Sequence, residues 1–155
     1  MKSETGFYVR PMTTDDINNV RALWMTIKGF GIRTIDDSEE FVERFIRRNP
    51  KTSIVACLPD GSIVGSILCG SDGRNACFYH VCVSSDYRRR GIGRAMVRYA
   101  MDALKREHIN TVTLIAFKGN EVGNLFWNAE GFIERGDINY YEMPLNDENI
   151  THFNE

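Results

Sequence analysis

The chain alternates between two hydrophobic rhythms, a period of two and a period between three and four, and the switches between them mark out its elements. Apolar and polar residues alternate from Phe7 to Met12, which predicts a first strand. Thr13-Thr14-Asp15-Asp16 then supplies a helix cap with acidic first-turn residues. Ile17, Val20, Leu23, Trp24 and Ile27 follow at helical spacing, so a first helix should end near Lys28-Gly29. Phe30 to Ile35 has no clear period and reads as a loop. A second helix begins after Asp36-Asp37-Ser38 and carries Phe41, Phe45 and Ile46 on one face. It stops at Asn49-Pro50, because the residue before a proline avoids helical backbone.

Strand signals dominate the middle of the chain. Thr52 to Leu58 and Ser62 to Cys69 are apolar, β-rich runs joined by Pro59-Asp60-Gly61, the composition of a hairpin turn. The polar stretch Gly70 to Asn75 turns the chain again into a strand from Ala76 to Val83, giving a three-stranded antiparallel meander. A long amphipathic helix, Ala95 to Leu104, closes around His108 and leads to a strand over Thr111 to Phe117. A helical crossover between strands requires them to run parallel, so the sheet is mixed and mostly antiparallel, an α/β (α+β) class. Asn120 to Asn128 reads as a last helix, ended by Gly131. Phe132-Ile133 and Asp137 to Pro144 are expected to make a closing hairpin, and polar Asn146 to Glu155 to fray.

Composition narrows this picture. At 155 residues and 43% hydrophobic content the chain fits one domain, taken as residues 1–147 with a polar tail over 148–155. A net charge of −2, from 19 basic and 21 acidic residues, gives no global reason to expect nucleic acid or a membrane surface as partner. Met1 to Tyr8 has no apolar secretion core and no apolar run is long enough to span a bilayer, so a soluble, cytoplasmic protein is expected. Cys57, Cys69, Cys77 and Cys82 lie in strand-like segments with no C-x-x-C spacing and no nearby histidine cluster. They read as buried free thiols, and no metal is expected.

The candidate chemistry gathers where Tyr79-His80-Val81-Cys82-Val83 runs into Arg88-Arg89-Arg90-Gly91-Ile92-Gly93-Arg94 and so into the long helix. A helix start leaves backbone N–H groups unpaired and carries partial positive charge. Gly91 and Gly93 let a bulky diphosphate approach those amides, and the arginines add full charge.

Arg88-x-x-Gly91-x-Gly93 after an apolar strand, with Asn120-x-x-Gly123-x-x-Phe126-Trp127-x-x-x-Gly131-Phe132 downstream, resembles the GNAT superfamily of N-acetyltransferases, in a branch of small single-domain bacterial members. The resemblance implies a central sheet with a parallel strand pair splayed around acetyl-CoA and helices on both faces. It implies transfer of acetyl from acetyl-CoA, the cosubstrate, to a primary amine by direct attack in a ternary complex. The acceptor is a small-molecule or peptide amine, and homodimerisation is left open. It also assigns roles: Val81 and Val83 offer backbone groups to the pantetheine arm and thioester, Arg88, Arg89, Arg90, Gly91, Ile92, Gly93 and Arg94 hold the diphosphate, and Asn120 contacts the pantetheine or orders the loop.

Direct attack needs a neutral amine, a stabilised oxyanion and a proton for the departing thiolate. His80 faces the acceptor side by position in the family and is the candidate base. The family's usual acid is a tyrosine where this chain has Trp127, and an indole only donates hydrogen bonds. Trp127 therefore packs either against the cofactor arm or in the core, and Tyr140 on the closing hairpin is the candidate replacement acid. The departing thiolate can also leave unassisted. Cys82 as an acyl-accepting nucleophile has no base at readable spacing. Arg33, Asp36, Asp37, Glu39, Glu40, Asp72 and Arg74 are candidates to line the acceptor site, and an acidic lining would favour a cationic amine. Two alternatives stay open: acetylation of protein or peptide amines, and a non-catalytic acyl-CoA-binding regulatory module.

Overall fold

A computed structural model describes residues 6–155; the first five residues of the Met1 to Tyr8 stretch lie outside the described range. Its central sheet has the order β1-β3-β4-β5-β6, formed by Tyr8–Pro11, Ile54–Cys57, Ile63–Ser71, Ala76–Val83 and Val112–Leu114. Neighbours are antiparallel except β5 and β6, which pair in parallel as the helical crossover requires.

Helices cover both faces. On one lie α1, Ile17–Thr26, and α2, Glu39–Arg48, burying Val20, Leu23, Trp24, Val42 and Ile46 against Val55, Leu68 and Cys82. Ser38 caps α2 by accepting from the Phe41 amide at 3.3 Å. On the other face α3, Ile92–Arg106, presents Ile92, Met96, Val97, Ala100 and Leu104 at helical spacing to Ile54, Ile67 and Phe78. Close seating of α3 depends on Gly65, where a Cβ would stand 2.9 Å from Met96 Cε and 3.2 Å from the Cys82 carbonyl oxygen. α4, Glu121–Ala129, completes this face through Phe126 and Trp127.

The termini of the pattern differ from expectation. Gly31–Arg33, read as a loop, is a strand, β2, and pairs antiparallel with β7, Thr151–Phe153, inside the tail expected to fray. The tail is pinned further by Asn154, whose side-chain amide nitrogen donates to the carbonyls of Trp24 at 2.8 Å and Ile27 at 2.9 Å at the end of α1, which also accept from the amides of Ile27 and Phe30. Asn149 Oδ1 accepts from the amides of Ile35 and Asp36. The closing hairpin is absent: residues 133–145 contain no strand, and Ile133, Tyr141 and Leu145 are exposed. Their route is set by its ends, since the chain must pass from α4 to the anchors on β2 and α1, and that requirement overrides the strand propensity of Ile138 to Met143.

Candidate active site

β5 is the element on which the site is built, and it is not a regular strand. Tyr79 pairs with Leu68 and Cys82 with Ser66, so two residues, His80 and Val81, oppose the single Ile67. This is a β-bulge, and His80 within it takes left-handed backbone, φ +48°. Uninterrupted alternation would have put residues 76, 78, 80 and 82 on one face. Instead Ala76, Phe78, Val81 and Val83 face α3, while Tyr79, His80 and Cys82 face α1 and α2.

The bulge also turns the main chain. Before it, Asp72 N donates to the Asn75 carbonyl and Ala76 N to Thr111 on the β6 side, so odd residues of β5 bond β4 and even ones bond β6. After it, Ser84 N donates to Val64 O at 2.7 Å, so even residues bond β4 and the main-chain groups of Val81 and Val83 turn the other way. Nothing from β6 meets them, because the parallel pairing ends at Phe78 and Leu114. The strand pair therefore opens beside Val81 and Val83, and the Val83 carbonyl accepts from Arg88 Nε at 3.2 Å.

Beyond the opening, the arginine loop leads into α3 through Gly91, whose φ of +80° suits glycine and whose missing Cβ would meet nothing within 4 Å. Arg90 lies 5.0 Å over the Tyr87 ring and donates to the Asp86 carbonyl, and Arg89 is left-handed at φ +62°. Arg94 Nε stands 3.7 Å from Glu130 Oε2, whose partner oxygen Oε1 is buried without a hydrogen bond. Ile92 points its side chain into the core, leaving only its backbone to the cradle. Gly93 has a packing reason too, since a Cβ there would reach 3.3 Å from the Phe126 ring. Asn120 caps α4 by accepting from Gly123 N at 3.0 Å, and Trp127 sits in a cluster with Phe78, Phe126 and Phe132.

His80 is largely enclosed, with its side chain 18% exposed. Its ring lies 4.6 Å from Trp24 and 5.2 Å from Phe30, and Nε2 is 2.8 Å from Asp37 Oδ1. A carboxylate can only accept, so Nε2 carries the hydrogen and donates it, which leaves Nδ1 of the neutral ring as the acceptor nitrogen. Asp37 is itself held: Oδ2 accepts from Arg33 N at 2.7 Å, and its carbonyl accepts from Arg21 Nε at 2.9 Å. No local sequence signal marks this pair, whose members are 43 residues apart and whose acid was one of several charged candidates for the acceptor site.

Of the other loop charges named from the sequence, Arg33 and Asp36 pair at 3.5 Å near the surface, Glu39 and Glu40 form the first turn of α2, and Asp72 folds its own turn by accepting from the amides of Arg74 and Asn75. Tyr140 is exposed and donates its hydroxyl to Glu142 Oε2 at 3.1 Å, a bond that raises its pKa and keeps it protonated. Burial pushes the Cys82 thiol up to about 11, so it is not a standing nucleophile.

The sequence pattern of the Acetyltransferase (GNAT) family matches residues 17–132. The chain belongs to the GNAT acetyltransferase family. It is 35% identical to an acetyltransferase of Sodalis glossinidius and 34% to acetyltransferases of Yersinia pestis, each over 89 residues, or 57% of this chain. The match spans 61% of those curated relatives. Among solved structures, PaiA N-acetyltransferase from Thermoplasma acidophilum with coenzyme A superposes at a TM-score of 0.72, with 15% identity and coverage of 94% of this chain and 96% of that one. An aminoglycoside acetyltransferase with a bisubstrate analogue gives 0.68 at 15% identity, covering 89% and 98%. These structural likenesses define the shared fold: a mixed sheet, mostly antiparallel, with one parallel pair.

Proposed function

We propose that this chain transfers an acetyl group from acetyl-CoA to a primary amine by direct attack in a ternary complex, with His80 as the amine's base. The observation that carries the reading is the bulge at His80, which sets an imidazole held by Asp37 on one face of β5 while turning the Val81 and Val83 main chain into the opening between β5 and β6.

Acetyl-CoA fits the residues present. The amides at the start of α3 and the side chains of Arg88, Arg89, Arg90 and Arg94 would hold the diphosphate, with Gly91 leaving the approach clear. Asn120 orders the loop into α4, and Trp127, in its cluster with Phe78, Phe126 and Phe132, would flank the pantetheine arm. The cosubstrate supplies a thioester acyl donor. His80 Nδ1 takes a proton from the incoming ammonium, while Asp37 fixes the ring and balances the imidazolium. Val81 and Val83 main-chain groups orient the arm and stabilise charge at the carbonyl. Tyr140, the candidate acid, would return a proton to the departing thiolate on giving up its bond to Glu142 Oε2; otherwise the thiolate leaves unassisted.

Release of free CoA thiol, followed across a panel of small amines and peptides, tests the reading. It predicts release that needs both acetyl-CoA and an amine and that His80→Gln lowers by about 100-fold or more. Tight acetyl-CoA binding without turnover of any amine would instead favour a binding module. Structural neighbours were solved with an aminoglycoside analogue and with a Gag peptide, so the fold alone does not select the acceptor.

A further inference from the structure

We infer that the acceptor is a small amine bearing its own carboxylate and a compact apolar group, an amino-acid-like molecule, and that Arg21 recognises that carboxylate. The inference rests on the reading of His80 as the amine's base. It starts from a cavity of about 210 Å³ between α1 and β2. Trp24 and Asp37 form two of its walls, and both touch His80, so the imidazole lies directly behind those two side chains.

Its electrostatics are unbalanced. Asp37 and Arg21 are the charged residues lining it. Both Asp37 oxygens are already engaged, one by the His80 ring and the other by the Arg33 amide. Arg21 spends Nε on the Asp37 carbonyl, a neutral acceptor, and forms no ion pair among the described residues. The wall therefore offers a guanidinium whose terminal nitrogens remain available, in the fork that suits a carboxylate. A second ammonium on the acceptor would find no open anion there, and would face the Arg21 charge.

Size and lining agree with that charge. The volume lies below the roughly 300–1,000 Å³ typical of drug-sized ligands, a size that suits a small amine. Trp24, Met25 and Ile32 provide apolar walls for a side chain, and Asn18 adds one polar group. Asp37 anchors both the proposed base and the guanidinium, so amine and carboxylate are read from one residue, as a molecule carrying both on neighbouring atoms requires.

The experiment compares leucine with leucinamide, and both with spermidine, as acceptors in the thiol-release assay for wild type, Arg21→Gln and Arg21→Lys. Leucine should exceed leucinamide in kcat/KM by about tenfold or more in the wild type, through KM. Arg21→Gln should bring that ratio close to unity, and Arg21→Lys, which keeps the charge, should restore part of it. The amide's less basic amine biases the absolute rates, but that bias cancels between variants. CoA release that favours spermidine or leucinamide, or a ratio Arg21→Gln leaves unchanged, overturns this inference while leaving acetyl transfer to amines standing. If no amine is turned over, the proposed function falls instead. Calorimetry on acetyl-CoA-loaded protein then decides the cavity: leucine binding that Arg21→Gln abolishes supports it, and no leucine binding overturns it.

Discussion

Replacing Asp37 by asparagine isolates the contact on which the proposed chemistry depends, because the shape is kept and only acceptor capacity changes. The carboxylate accepts from His80 Nε2 at 2.8 Å and from Arg33 N at 2.7 Å, with its side chain 5% exposed. An amide has one oxygen. If that oxygen stays with the Arg33 N–H, the NH2 group faces Nε2 and drives the ring hydrogen to Nδ1, leaving no acceptor nitrogen for an incoming amine. If it turns to His80 instead, two donors meet at the Arg33 amide. Each bond to a charged group contributes roughly 1.5–3 kcal/mol and the amide recovers one neutral bond, so the variant should lose about 2–5 kcal/mol of stability. For a chain of this size that is a fall in Tm of roughly 5–15 °C, measurable by circular dichroism. Loss of the base should lower kcat/KM for CoA release by about 100-fold or more, and Asp37→Asn combined with His80→Gln should be little worse than His80→Gln alone. A variant that melts within about 1 °C of the wild type and keeps its rate within about threefold would refute the argument.

Three other outcomes follow from contacts elsewhere. Burial raises the pKa of Asp16, but bonds from Arg10 at 2.7 and 2.9 Å and from the Thr13 amide outweigh it and hold the carboxyl below its ordinary value. Its contribution is complete above the unfolded carboxyl pKa near ~3.9 and is lost as pH falls through the lower folded value; denaturant melts should show Asp16→Asn costing about 1–3 kcal/mol near neutrality and converging on the wild type in acid. Burial raises the thiol of Cys57 and pushes Cys69 to about 12 and Cys82 to about 11, so Ellman's reagent at pH 8 should modify Cys77 first in the folded protein and all the cysteines only after unfolding. Asn154→Ala removes two bonds to the end of α1 and should lower stability by about 1–2 kcal/mol in the same melts, whereas a frayed tail would show no change.

Local rules carried the sheet, its parallel pair and the helix that opens on the arginine loop, because each rests on signals within about one element: the turn at Pro59-Asp60-Gly61, the spacing of Met96, Ala100 and Leu104, the proline that stops α2. What escaped depends on distant pairing. Gly31-Ile32-Arg33 is too short for a period to emerge, and its partner lies at Thr151–Phe153, at the other end of the chain. Asp37 stood among several acidic candidates for the acceptor site, and nothing local set it apart as the one that turns to His80 while Ser38 caps α2. The hairpin expected from Phe132-Ile133 and Asp137 to Pro144 had strand-like composition, yet the anchors of Asn149 and Asn154 pull the chain elsewhere.

The bulge at His80 is the least legible feature and the most consequential. Nothing in Tyr79-His80-Val81-Cys82-Val83 announces it; histidine is not a glycine, and its φ of +48° is uncommon backbone that surrounding structure must hold. The ring supplies that hold, set between Trp24 and Phe30 and tied to Asp37. Trp24 is fixed in turn by donating Nε1 to Ser66 Oγ at 3.0 Å, and Ser66 sits opposite Cys82, just past the bulge on the neighbouring strand. The same irregularity moves Val81 and Val83 side chains under α3 and releases their main-chain groups from β4. A regular β5 would bond those groups to β4 and turn His80 toward α3, so imidazole and open amides depend on a single inserted residue. Substituting His80 therefore tests more than a base: His80→Gln can keep the bulge, while a β-branched His80→Val opposes positive φ and should also weaken acetyl-CoA binding, an effect calorimetry separates from loss of turnover.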